Sequence, residues 1–87
     1  MNETSTAELL EEIREAATRG GDASIFISEA YLSWYWSGDD WKVNLHGYAG
    51  LDRRNRRIFH EMLDLRHRRG WCDEDLCELA RELASHL

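Results

Sequence analysis

From Ser5 to Gly21 the apolar residues Leu9, Leu10, Ile13, Ala16 and Ala17 recur at three- and four-residue intervals. That is the period of a helix with one buried stripe. Ser5 with Glu8 three residues on has the capping-box spacing, and Arg19-Gly20-Gly21 supplies a basic last turn and a stop. The outer face of this helix carries Glu8, Glu11, Glu12 and Glu15.

The pattern then changes. Tyr31–Trp36 and Trp41–Tyr48 flank Ser37-Gly38-Asp39-Asp40, a loop rich in turn formers, and predict a β-hairpin. Pairing Trp36 with Trp41 sets Trp34 against Val43 and Leu32 against Leu45 on one face. The opposite face collects Tyr31, Ser33 and Tyr35 across from His46, Asn44 and Lys42. Ser24–Ser28 reads as a further strand or the start of one long bent strand, with a short helix as the alternative.

Helical spacing returns after Leu51. Asp52 caps a second helix running to about Arg69, with Leu51, Ile58, Phe59, Met62 and Leu65 as its apolar stripe and Leu63 beside it. Gly70 ends it. Asp73 caps a third, in which Leu76, Leu79, Ala80, Leu83 and Leu87 form the buried face. The predicted fold class is therefore α+β: a two- to three-stranded antiparallel sheet with three helices packed on one face, in the order α–β–β(–β)–α–α.

Length limits what such a fold can do. Eighty-seven residues form one compact domain, 1–87, and a chain of this size buries only about 60–65% of its unfolded surface. Little room is left for an enclosed catalytic cleft. A hydrophobic fraction of 43% with 10% aromatics is too rich for disorder, and proline is absent. The start Met1-Asn2-Glu3-Thr4-Ser5 lacks the features of a signal peptide, and no apolar run approaches membrane-spanning length. Cys72 and Cys77 are too few for a disulfide scaffold. These features predict a soluble cytoplasmic protein with reduced thiols, and no membrane contact.

Charge sharpens the picture. The formal net charge is -6, yet seven of the eleven basic residues are Arg53, Arg54, Arg56, Arg57, Arg66, Arg68 and Arg69. Residues 51–70 sum to +4 (seven Arg against Asp52, Glu61 and Asp64), whereas residues 1–30 sum to -5 and 71–87 to -4. A helix bearing Arg53, Arg56 and Arg57 near its start can grip phosphates. Against that, Arg57 and Glu61, like Asp64 and Arg68, stand four apart and neutralise each other. The acidic faces of the other helices absorb more, and the overall negative field repels polyanions.

The uncovered sheet face, with Tyr31, Tyr35, Lys42, Asn44 and His46, has the composition of a recognition surface. It also suits homodimerisation. Metal and nucleophile signals are weak. His60, Asp64 and His67 share one helix face, but Cys72 and Cys77 fit a hydrophobic staple around Asp73 better than a zinc site. No catalytic residue, cofactor or metal is expected. The expected function is a non-enzymatic interaction module that occludes a protein partner, itself a nucleic-acid-binding protein or complex. It would use Tyr31, Tyr35, Lys42, Asn44 and His46 with Asp39, Asp40, Arg53, Arg56 and Arg57. In physical type, though in no motif, it resembles inhibitors of host-defence complexes such as anti-CRISPR or anti-restriction proteins. The acids of the first helix with Asp39 and Asp40 and with Asp73, Glu74, Asp75, Glu78 and Glu82 of the third would then form a carboxylate array imitating DNA phosphates. The alternative is a nucleic-acid-binding regulator using the Arg-rich helix 52–69.

Overall fold

A computed structural model describes residues 5–36, 42–67 and 73–86. The described residues contain helices and no strand: α1 (Thr6–Thr18), α2 (Asp22–Tyr35), α3 (Arg53–Leu63) and α4 (Asp73–Ser85), with 3-10 segments at Leu45–Gly50 and Leu65–His67. Among the described residues the fold is all-helical. The α+β expectation is overturned.

Helix α1 matches its pattern. The Ser5 hydroxyl oxygen accepts from the Glu8 amide at 3.2 Å and the hydroxyl donates to the Glu8 carboxylate at 3.0 Å. Leu9, Leu10, Ile13, Ala16 and Ala17 are all buried. The chain then reverses through Gly20 and Gly21, at φ 100° and 93°, where a side chain would be strained. Ser24 closes this corner: its hydroxyl accepts from the Gly20 amide at 2.9 Å and donates to the Ala16 carbonyl at 2.6 Å.

The correction concerns residues 24–48. Their first half is not strand but α2, the central helix, which touches α1, α3, α4 and the Leu45–Gly50 segment. A helix packed on so many sides has little polar face, so neither period dominates its sequence. Phe26, Ile27, Ala30 and Tyr31 nonetheless fall at i, i+1, i+4 and i+5, and all are buried. Ser24 and Ser28, four apart, are buried as well, with the Ser28 hydroxyl 3.4 Å from the Ala17 carbonyl. The β-preferring Ile, Tyr and Trp residues here are overridden by tertiary burial.

The proposed strand partners separate accordingly. Leu32 is fully buried, whereas Leu45 is 67% exposed, so the two share no face. Trp34 and Val43 both pack on the core margin, and Trp41 lies outside the described residues, as do Ser37–Asp40. The second half of the expected hairpin is the Leu45–Gly50 segment, which Asn44 caps by accepting from the His46 amide at 3.0 Å. This segment lies against α2 so closely that a Cβ on Gly47 would sit 2.9 Å from the Phe26 ring.

Asp52 caps α3 as expected, accepting from the Asn55 amide at 2.8 Å, and Ile58, Phe59 and Met62 are buried. The α-helix ends earlier than expected, at Leu63, and gives way to the Leu65–His67 turn. Arg68–Cys72 lie outside the described residues, and with them the rest of that helix, the Gly70 stop and the staple through Cys72. Asp73 is the first residue of α4 rather than its cap. The α4 stripe holds at Leu76, Leu79, Ala80 and Leu83; Leu87 lies outside the described residues. Burying each such leucine stabilises by about 1.5–3 kcal/mol, more than helix propensity differences supply.

Candidate interaction faces

The tyrosines of the expected recognition face point inward or sideways. Tyr31 is fully buried, and its hydroxyl donates to the Leu76 carbonyl at 2.7 Å. Tyr35 is half-buried and donates to the Asp73 carboxylate at 2.7 Å. Because the later α2 residue meets the earlier α4 residue, the two helices run antiparallel. Burial first, then the hydrogen bond and charge of Asp73, then Cys77, push the Tyr35 pKa up to about 12.

The polar residues assigned to that face are elsewhere. Lys42 and Asn44 are exposed on the approach to the Leu45–Gly50 segment and His46 is exposed within it, and the Asn44 side-chain oxygen is taken up by the cap. Asp39 and Asp40 lie outside the described residues. Among the described residues no sheet face gathers Lys42, Asn44 and His46 with the tyrosines, so the ground for grouping them as a docking surface is gone.

The arginines divide into two stripes. Arg57 reaches Glu12 of α1 and Glu61 of its own helix, each at 2.5 Å, so the expected i,i+4 pair with Glu61 is present. Arg54 reaches Glu15 at 3.3 Å, and Glu15 also holds Arg19 at 2.5 Å. The order inverts (Glu12 with Arg57, Glu15 with Arg54), so α1 and α3 are antiparallel along this edge. Hydrogen bonds donated by Arg19 and Arg54 hold the Glu15 carboxyl below its usual pKa, and those that Arg57 donates to Glu12 and Glu61 raise its own. Arg53 and Arg56, one turn apart on the next stripe, are exposed and make no ion pair among the described residues.

The other side of α1 meets α4. Arg14 ties the helices together, its Nε lying 2.9 Å from both carboxylate oxygens of Glu82, and it also pairs with Glu11. Burial alone would lower the Arg14 pKa; the contacts with Glu82 and Glu11 outweigh it, and the net direction is upward. Beside this tie, Ala7, Leu10, Glu11, Arg14, Asp75 and Glu78 line a shallow groove of about 160 Å³. Glu8 stands next to Glu11 and Glu12 along an adjoining hollow. Carboxylates of two helices therefore border one small-floored depression. The sequence pattern marked these acids as separate helix faces but carried no signal for Arg14–Glu82, residues 68 apart.

His60, whose sequence spacing with Asp64 and His67 is only a weak metal or base signal, places Nε2 at 2.7 Å from the Tyr48 hydroxyl. The two rings meet edge to face, with Phe59 beside them. Among the described residues, no group of three or more His, Cys, Asp or Glu side chains is placed to hold a metal ion. Cys77 is half-buried with a free thiol. No described helix is long and apolar enough to cross a membrane. Compared with protein-family models, curated proteins and solved structures, the chain gives no significant match.

Proposed function

We propose that this protein is a small, non-enzymatic interaction module that acts in the cytoplasm by occlusion. Its α1/α4 carboxylate face would seat on a basic surface of a nucleic-acid-binding protein or complex. An inhibitor of the anti-CRISPR or anti-restriction type works in this physical manner. One observation carries the reading. Glu11, Asp75 and Glu78 border a common groove while Glu12 and Glu15 are turned to α3, so the two acidic stripes of α1 have different tasks. A partner's positive field would steer such a face inward and set its register. Direct nucleic-acid binding through 52–69 is the weaker reading, because Arg54 and Arg57 are already engaged by carboxylates.

The test is a pull-down from a host lysate with the wild type and with the variant E8Q/E11Q/D75N/E78Q. The reading expects a nucleic-acid-binding protein retained by the wild type, lost with the variant and displaced by added duplex DNA. Equal retention by both proteins, or indifference to the DNA, would remove the α1/α4 face from the account.

A further inference from the structure

The α1/α3 edge sets three guanidiniums, Arg19, Arg54 and Arg57, against three carboxylates, Glu12, Glu15 and Glu61. The arginines come from two elements, and Arg53 and Arg56 extend the basic row of α3 beyond the paired stripe. Guanidinium forks match the oxygens of sulfate and phosphate as well as those of carboxylate. Glu12 and Glu15 therefore occupy the positions that anionic oxygens of a polyanion would take on Arg57 and Arg54.

We propose that the Glu12/Glu15 stripe of α1 is a built-in competitor that masks an anion-binding surface on α3. The masking is local. It depends on carboxylates held in contact with particular arginines, not on the protein's net charge alone. Its latches are ion pairs whose members remain partly exposed, with Arg57 at 42% and Glu12 at 24% side-chain exposure. Such pairs are individually weak, so the mask is shallow and a modest perturbation lifts it. Removing the two carboxylate charges frees Arg54 from Glu15 and Arg57 from Glu12, leaving Glu61 on Arg57 and setting both arginines beside Arg53 and Arg56 within two turns of α3. The inference does not depend on what the α1/α4 face binds, and its failure would leave that face untouched.

Heparin affinity tests it. The variant E12Q/E15Q is compared with the wild type and with E74Q/E78Q, which removes the same two charges from α4, away from this edge. Glutamine keeps the size of each side chain, and far-ultraviolet circular dichroism reports whether the helices are intact. E12Q/E15Q is expected to bind heparin roughly threefold to tenfold more tightly than either comparison protein, as loss of two surface ion pairs implies. Adding R54Q and R57Q should abolish the gain. Equal gains in the two double variants would assign the effect to net charge and overturn the proposal, as would no gain in E12Q/E15Q. Should the double variant fail to fold, E15Q alone, at an exposed carboxylate, is read by the same criteria.

Discussion

Replacing Tyr31 by Phe removes one oxygen from the middle of the molecule and nothing else. The ring is fully buried, stacked 6.0 Å from that of Tyr35 and tilted at 5.6 Å to Trp34, and its hydroxyl donates to the Leu76 carbonyl at 2.7 Å. Phenylalanine keeps the ring packing, so the cost is that of one buried neutral hydrogen bond and a less satisfied carbonyl. That amounts to about 1–2 kcal/mol. In a domain of this size it lowers the melting temperature by roughly 5–15 °C. Tyr35→Phe is the internal comparison: its hydroxyl meets Asp73 in a half-exposed setting, and its loss should cost under about 1 kcal/mol. Both are measured by thermal melts followed by circular dichroism. A hairpin with Tyr31 and Tyr35 on one outward face would make the two variants equivalent and nearly silent. Equal melting temperatures for wild type, Tyr31→Phe and Tyr35→Phe would refute the placement of Tyr31 between α2 and α4.

Two other perturbations probe the packing and the titrating groups. Gly47→Ala puts a methyl 2.9 Å from a Phe26 ring that is itself packed 5.2 Å from Phe59, so the ring has little room to yield; a loss of about 1–3 kcal/mol in urea melts is expected, and an unchanged midpoint would contradict that close approach. Tyr35, pushed up to about 12 from the ordinary tyrosine value near 10, keeps its proton in the folded state where the unfolded chain has lost it. Its contribution to stability is therefore complete below pH 10 and lost as the pH rises through 12. Phenolate absorbance, read in the Tyr31→Phe background, should show Tyr35 titrating late, and D73N should bring its midpoint down; an identical midpoint in D73N would discount the Asp73 contact.

The parts of the fold legible in the sequence are those with one buried face. In α1 and α4 a single apolar stripe opposes charged residues, and the start of α3 carries an aspartate cap followed by the same spacing. Helix α2 hid because it is surrounded. Leu32 and Trp34 continue the apolar character around the helix, and Ser33 between them imitates the alternation of a strand. The contrary signal was present in the buried small pair Ser24 and Ser28 and in Ile27 and Tyr31, each four apart. The arginine run was half legible: the Arg57–Glu61 pair follows from spacing within one helix, but the meeting of Arg54 with Glu15 required knowing that α1 and α3 lie antiparallel. The tyrosine recognition face was an artefact of the strand assignment. The acids of α1 and α4 were visible as residues, and only the fold sets them around one groove.

The central functional proposal is that this chain meets a protein and leaves nucleic acid alone, with Arg54 and Arg57 of the basic helix held by its own carboxylates. A gel-shift titration of the wild-type protein against duplex and single-stranded DNA and RNA, at low and at moderate salt, tests that claim most directly. The account predicts no retained complex with any of the nucleic acids at moderate salt, and at most a trace at low salt that vanishes as salt rises. A tight complex that persists at moderate salt would contradict it and return the basic helix to the centre of the function.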